Sequence, residues 1–304
     1  MASMESLADS IESMKERGIP VANLSVISLA KLHAKNPAEL ALLEEESSST
    51  GFFYLDMRGD PGGDCVLAHL PGVFAVEEQY FSQSEESKTQ DVRHDIKASQ
   101  DLGWKLLPGG ESFEVGIPEW PQPDFYLLTT YQLSRDEVVL LGASNPNLPR
   151  LFKDEWDKIA EFNAGCDEVC LTLLSSLSEG FMMHHRIDQP SDTGLKMVLH
   201  PSLAKVADAG DGVHTDGGTI TLLFYTQWGI RAYLPIEKSW AFLPPLEGCA
   251  LINVANSLRR WSGGKFHSPK HGVTQPFDGA RKRYYLSYFL RPQTSLLERW
   301  KSAE

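Results

Sequence analysis

The first half of the chain alternates between helical and extended periodicity. Residues 4–17 repeat apolar positions at helical spacing and stop near Gly18, which predicts a short amphipathic helix. Val26 and Ile27 read as a strand, residues 36–48 as a helix rich in Glu, Leu and Ala, and Gly51-Phe-Phe-Tyr-Leu as a buried strand. Residues 73–83 and 84–95 read as helical. Residues 99–130 hold many Gly, Pro and aromatic residues without a period and are expected to be irregular, part of a pocket rim. From Pro149 to Phe181 the pattern is strongly helical. Leu151, Trp156, Ile159, Phe162, Val169, Leu173 and Leu177 recur near one face, the stripe of a helix that packs on a core.

After Pro190 the period changes from helical to extended. Short β-rich runs follow, separated by Gly, Pro and Asp: LKMVLH, GTITLLFY, GIRAYLP, SWAFLPPL, CALINVA, HGVTQP and RYYLSYFL. Strands at this spacing suggest a sandwich or jelly roll. No linker separates the two halves, and no repeat or low-complexity tract interrupts them. The expectation is one domain over 1–304, mainly β with flanking helices. Its helix-rich part spans about 1–190 and its β-rich part about 191–292.

Composition narrows the class. The 304 residues are 42% hydrophobic and 23% charged, which suits a globular fold with a sizeable core. Acidic residues outnumber basic ones, 41 to 28, for a net charge of −13. Such a surface repels nucleic acid and anionic membranes, so neither is expected as a partner. The opening MASMESLADSIESMKERG lacks the apolar stretch of a signal peptide, and no apolar run is long enough to span a membrane. A cytoplasmic location is expected, with Cys65, Cys166, Cys170 and Cys249 as reduced, mostly buried thiols. Cys166 and Cys170 share a helical i, i+4 spacing, but no second Cys/His pair at zinc-finger spacing accompanies them. Nothing in the pattern assigns an oligomeric state.

The candidate chemistry begins at Gly212-Val-His214-Thr-Asp216-Gly-Gly218. Side chains at i and i+2 of an extended chain point to the same side, so His214 and Asp216 can face one metal. An imidazole and a carboxylate need a second imidazole to make the 2-His-1-carboxylate face, which leaves open positions on iron and suits Fe(II) oxygenases. His271, in Ser268-Pro-Lys-His-Gly-Val, is the candidate third ligand, and His267 competes with it. Arg283 follows in a β-rich run, and its guanidinium offers a rigid fork to a carboxylate. A structural pairing with Asp or Glu is the plain alternative. His184 and His185 are adjacent, so in a strand they face opposite ways, and a surface or hinge role is expected. Trp228, Trp240 and Trp261 are expected in the core or at the rim. Lys196 lies near the pocket mouth without an assigned role, and Phe224, Tyr233 and Tyr285 are candidate pocket residues.

These segments resemble the isopenicillin N synthase-like family of Fe(II)- and 2-oxoglutarate-dependent oxygenases, and its small-molecule tailoring branch in particular. The resemblance is carried by GVHTDGGTITLLF, WGIRAYLP, PLEGCALINVANSLRRWSGGKFHSPKHGV and RYYLSYFLRP, with VISLAKL and GFFYLDMRG resembling the family's N-terminal region. It implies a double-stranded β-helix core with helices outside. It implies Fe(II) held by His214, Asp216 and His271, with 2-oxoglutarate anchored by Arg283. It also implies O2 and a small-molecule substrate, with hydroxylation or a related C–H oxidation as the reaction. The match at Ser268 favours His271 over His267. Three positions depart from the family. Tyr285 stands where Ser usually follows the anchoring Arg, His200 stands where a Tyr usually precedes Pro201, and Gly272 replaces the Arg that commonly follows the distal His. Tyr285 and His200 are therefore candidate cosubstrate contacts. Two other readings stay open. One is an oxidase of the same fold that needs no 2-oxoglutarate, and the other is a non-catalytic binding protein.

Overall fold

A computed structural model describes residues 4–95, 102–108, 127–201, 212–274 and 282–301. Helix α1 (Met4–Glu16) stops where Gly18 takes a φ of 71° and its amide bonds back to Lys15. Strand β1 (Val26–Ser28) runs into the single turn α2 (Leu29–His33). Asn36 caps α3 (Pro37–Ser49) by accepting from the amides of Ala38 and Glu39, with Pro37 in the first turn. Strand β2 (Phe52–Asp56) follows. Asp60 then caps α4 (Pro61–Ser82), which begins about three turns before the predicted 73–83. The Gly62-Gly63 pair makes that start look like a loop, but Gly63 is needed because a Cβ there would lie 2.0 Å from the Met57 carbonyl.

Only Glu85–Thr89 (α5) of the expected 84–95 helix is helical. Beyond it the chain turns, and the Asp91 carbonyl accepts from Trp104. The segment 99–130 is not simply irregular. It supplies β3 (Gly103–Pro108) and the start of β4 (Leu127–Ser134), while 109–126 falls outside the described residues. Trp104 reaches across to Thr129, its Nε1 donating to Oγ1 at 2.8 Å. The chain continues through α6 (Arg135–Leu141). The long helix expected from Pro149 is broken at Glu155 into α7 (Arg150–Asp154) and α8 (Trp156–Leu177), and a 3₁₀ stretch covers Glu179–His184.

The β-rich part gives β5 (Gly194–Pro201), β6 (Ile220–Tyr225), β7 (Ile230–Leu234), β8 (Ser239–Phe242) and β9 (Cys249–Val254). Helix α9 (Asn256–Trp261), β10 (His271–Val273), β11 (Lys282–Leu290) and α10 (Thr294–Lys301) complete it. Eight strands form one sheet in the order β1-β2-β9-β6-β11-β5-β4-β3, and β10-β7-β8 form a second. Four strands of the large sheet come from before residue 190, so both parts of the chain build it. This is the jelly roll expected from the strand spacing, with helices outside.

Alternation along each strand sorts the large sheet into two faces. Leu222, Phe224, Leu286, Tyr288 and Leu290 point toward α4 and α8 and join the main core, where Phe162 meets Phe224 edge-on at 5.5 Å. Phe52, Tyr54, Leu251 and Tyr285 point the other way, onto Ile230, Ala232 and Leu234 of the small sheet. Phe224 is therefore core, not pocket. Tyr233 alternates with the core-facing Ala232 and Leu234 and packs edge-on with Trp240 at 5.9 Å on the other face of the small sheet.

Candidate active site

The site grows from the ends of three strands. His214 and His271 exchange both backbone hydrogen bonds at 3.0 Å, an isolated bridge that continues the small sheet at β10. Two residues on, the chain must turn into β6. Gly218 allows that turn because a Cβ would lie 2.8 Å from the Leu290 carbonyl. The backbone of Asp216 is fixed by the Asn256 amide, which donates to its carbonyl at 2.8 Å.

His214, Asp216 and His271 then bring one donor atom each within 4.8 Å of one another. The hydrogen bonds behind them decide which atoms converge. His214 Nδ1 lies 2.7 Å from the Gly212 carbonyl, and His271 Nδ1 lies 3.2 Å from the Pro269 carbonyl. A carbonyl only accepts, so each Nδ1 carries the proton and each Nε2 presents a lone pair. Both Nε2 atoms lie 3.5 Å from the same Asp216 Oδ1. Two lone pairs and an anionic oxygen around one point are favourable only with a proton or a cation between them. The other carboxylate oxygen, Oδ2, accepts from Thr221 Oγ1 at 2.5 Å and Asn253 Nδ2 at 2.7 Å. Such partners fix a metal-binding carboxylate and leave its second oxygen for the ion. This donor set fits Fe(II): two neutral imidazoles and one carboxylate on a single face.

Electrostatics separate the two imidazoles: burial pushes His214 down, but Asp216 outweighs it and holds the ring above the usual imidazole range. Burial pushes the Asp216 carboxyl up, but His271, His214 and the Thr221 hydrogen bond outweigh it and hold the group well below the usual carboxylate range. Burial pushes the His271 imidazole down, so it stays neutral and ready to coordinate. His214 is the open side of the cluster, with 44% of its side chain exposed against 7% for Asp216.

Arg283 lies on the inner face of β11, 1% exposed, opposite His200 in the register with β5. Its Nε donates to the Trp228 carbonyl at 2.7 Å, which orients the guanidinium fork. Tyr285 follows on the same face and packs edge-on against His200 at 5.6 Å. Its hydroxyl fills the space beside Gly229, where a Cβ would lie 2.3 Å away. Burial, helped by Arg283, pushes the His200 imidazole down to about 4. Among the described residues, Arg283 thus has the aromatic rings of His200 and Tyr285 beside it, and its guanidinium has the fork that suits one carboxylate of an oxo-acid.

The other histidines resolve elsewhere. His267 is held at the α3–β2 corner, where its amide donates to Ser47 and its carbonyl abuts Gly51. His184 stacks on Trp261 at 4.1 Å and His185 meets the same ring edge-on. Trp228 is buried at 5% and donates to Ser10, and Trp240 carries the Arg231 guanidinium over its ring at 4.7 Å. Lys196 lies on the inner side of β5 and its charge reaches His214. The four cysteines are free thiols, Cys166 and Cys170 buried and Cys65 and Cys249 partly exposed. The sequence pattern does not mark Thr221 and Asn253 as site residues beyond a polar residue in each of the apolar runs ITLLFY and CALINV, and the two are register partners.

Comparison with known proteins bears on the family. The model of the 2OG-Fe(II) oxygenase superfamily matches residues 191–292. A 2-oxoglutarate-dependent dioxygenase of Gibberella zeae is 29% identical over 294 residues, covering 92% of this chain and 82% of its own. One of Amanita muscaria is 34% identical over 160 residues, which is 49% of this chain and 78% of its own. The chain belongs to the 2OG-Fe(II) oxygenase superfamily. Its membership makes it an enzyme, an Fe(II)- and 2-oxoglutarate-dependent oxygenase. The fold agrees: a 2OG-Fe(II) oxygenase family protein of Caulobacter crescentus superposes with a TM-score of 0.69 at 20% identity, covering 90% of this chain and 88% of that one. Among the described residues, no helix is long and apolar enough to cross a membrane.

Proposed function

We propose that His214, Asp216 and His271 hold the iron, that Arg283 anchors the distal carboxylate of 2-oxoglutarate, and that residues 1–304 work as one oxygenase unit. The observation that carries this reading is the convergence of two imidazole lone pairs on one oxygen of Asp216, each 3.5 Å away. When bound, iron and 2-oxoglutarate together turn O2 into an oxidant for a C–H bond, with succinate and CO2 as coproducts. The protein's part is placement. Thr221 and Asn253 keep Asp216 in one orientation. The carbonyls of Gly212 and Pro269 keep both imidazoles in the tautomer that coordinates through Nε2. Arg283 offers a fork whose near end is already fixed on Trp228, so little freedom is lost when a carboxylate docks. His200 stays neutral at physiological pH and adds polarity without a second charge. Tyr285 takes more room than the family's Ser and narrows the space beside the anchor.

The substrate is a small molecule, and a secondary metabolite is the class that the fungal relatives support. The acidic balance of the chain argues against nucleic acid, and a cytoplasmic location suits the free thiols. The test is an anaerobic titration of 2-oxoglutarate into the Fe(II)-loaded protein, followed by its metal-to-ligand charge-transfer band. The expected result is a band in wild type, with binding weakened about 30-fold or more in Arg283→Ala, since truncating one side of a buried charge pair costs about 2–5 kcal/mol. Iron binding without any band sinks the 2-oxoglutarate role of this site and favours the oxidase reading. Failure to bind iron sinks the triad.

A further inference from the structure

Among the described residues, one group of side chains outside the jelly roll also gathers metal donors. Cys65 and His69 lie one turn apart on α4, and Glu161 faces them from α8. The two helices run antiparallel and very close. At Gly165 a Cβ would lie 2.7 Å from Val66, at Gly62 it would lie 3.4 Å from Glu168, and at Gly72 it would lie 3.2 Å from Lys158. Glycines on both helices thus set the spacing, and Glu161, one turn before Gly165, arrives beside His69.

The hydrogen bonds repeat the logic of the iron triad. His69 Nδ1 lies 2.9 Å from the carbonyl of Cys65, its own i−4 residue, so Nδ1 is the donor. Nε2 then points at Glu161, 2.8 Å from Oε2. A neutral imidazole would turn its lone pair on a carboxylate, so this pair holds either a second proton or a cation. The Cys65 thiol supplies a third donor: its Sγ lies 3.8 Å from His69 Nδ1, and one ligand atom from each of the three residues lies within 4.8 Å of the others. Sulfur, nitrogen and carboxylate in this number are zinc ligands, and a water completes a tetrahedron. Glu161 is 60% exposed at its side chain and can move the few tenths of an ångström that coordination requires.

We propose that Cys65, His69 and Glu161 form a second metal site, for one Zn(II), that ties α4 to α8 on the helical side of the molecule and is separate from the iron centre. Binding replaces protons with the ion: the Cys65 S–H proton leaves, and so does any proton shared between His69 and Glu161. The clip joins the two long helices that back the large sheet, and α4 also carries Glu77, whose Oε1 accepts from the Val198 amide of β5 at 2.9 Å. The consequence is a holoprotein whose helical layer is stiffened by an ion that takes no part in oxidation.

The test uses the full chain with Asp216→Ala, so that the iron triad does not compete for metal. Co(II) is added anaerobically and a thiolate-to-cobalt charge-transfer band is followed, a signal that the oxygen and nitrogen donors of the triad cannot give. The expected result is a band that saturates at one equivalent, is bleached by one equivalent of Zn(II), and is lost in Cys65→Ser and in His69→Gln. Glu161→Gln keeps the thiolate and weakens cobalt binding at least tenfold. Zn(II) raises the melting temperature of the parent but not of the His69→Gln protein. No band in a protein shown to be folded by circular dichroism overturns the proposal, and so does a band that survives Cys65→Ser. If Cys65→Ser does not fold, His69→Gln and the exposed Glu161→Gln decide alone.

Discussion

The two faces of the large sheet obey different rules, though the same strands make both. Toward α4 and α8, β6 and β11 offer Leu222, Phe224, Leu286, Tyr288 and Leu290, and any set of similar volume would serve there. Toward the small sheet the same strands offer Thr221, Arg283 and Tyr285, with Asn253 from β9 beside them, and each depends on a particular atom opposite. The outer face tolerates substitution of shape and punishes loss of volume. The inner face also packs Phe52, Tyr54 and Leu251 on the small sheet, but around the site it punishes loss of a donor.

Mutations on either side test that division. Asp216→Ala is expected to have the largest effect, abolishing stoichiometric iron binding and turnover while leaving the metal-free melting temperature close to wild type. A fall in metal-free stability as large as that of a core deletion would break the comparison. Phe162→Ala acts from the other side. It removes a fully buried ring from the Phe224 contact and should cost about 3–5 kcal/mol in denaturant unfolding. Iron affinity per folded molecule should not change. Asn253→Ala keeps the three metal donors but frees one oxygen of Asp216. Iron affinity is expected to fall about 10–100-fold, read by chelator competition, with unfolding free energy changed far less than in Phe162→Ala.

The smallest effect concerns pH. His185 belongs to neither face. Burial pushes its imidazole from 6.5 down to about 3, and its Nδ1 donates to the Arg291 carbonyl. The folded state keeps this ring neutral while the unfolded chain takes up a proton near 6.5, so its contribution is complete above that pH and is lost as pH falls toward about 3. Stability measured from pH 7 to 4 should decline less steeply in His185→Gln than in wild type. Equal slopes would remove His185 from the account.

The triad was legible because two of its members sit at i and i+2, where extended geometry alone puts them on one side. The jelly roll was legible from the strand spacing after Pro190. What holds the triad was not legible, because Thr221 and Asn253 reach Asp216 across strand registers that no local spacing encodes. Strands β3 and β4 are not legible because Gly and Pro frame them, β3 pairs only with β4, and the other partner of β4, β5, lies far along the chain. The start of α4 was missed for the opposite reason: its glycines answer close approach to Met57 and α8, not local flexibility. Phe224 and Tyr233, candidate pocket residues in the sequence, lie off the pocket because which face of a strand is buried depends on partners that the local sequence does not name.

Gly229 and Tyr285 constrain each other. With a Cβ at 229 only 2.3 Å from the Tyr285 hydroxyl, the tyrosine cannot take its present position unless residue 229 is glycine. The two positions are therefore coupled: Tyr285→Ser leaves Gly229 undisturbed, whereas Gly229→Ala forces the Tyr285 ring to move, and Tyr285→Ser should relieve the cost of Gly229→Ala.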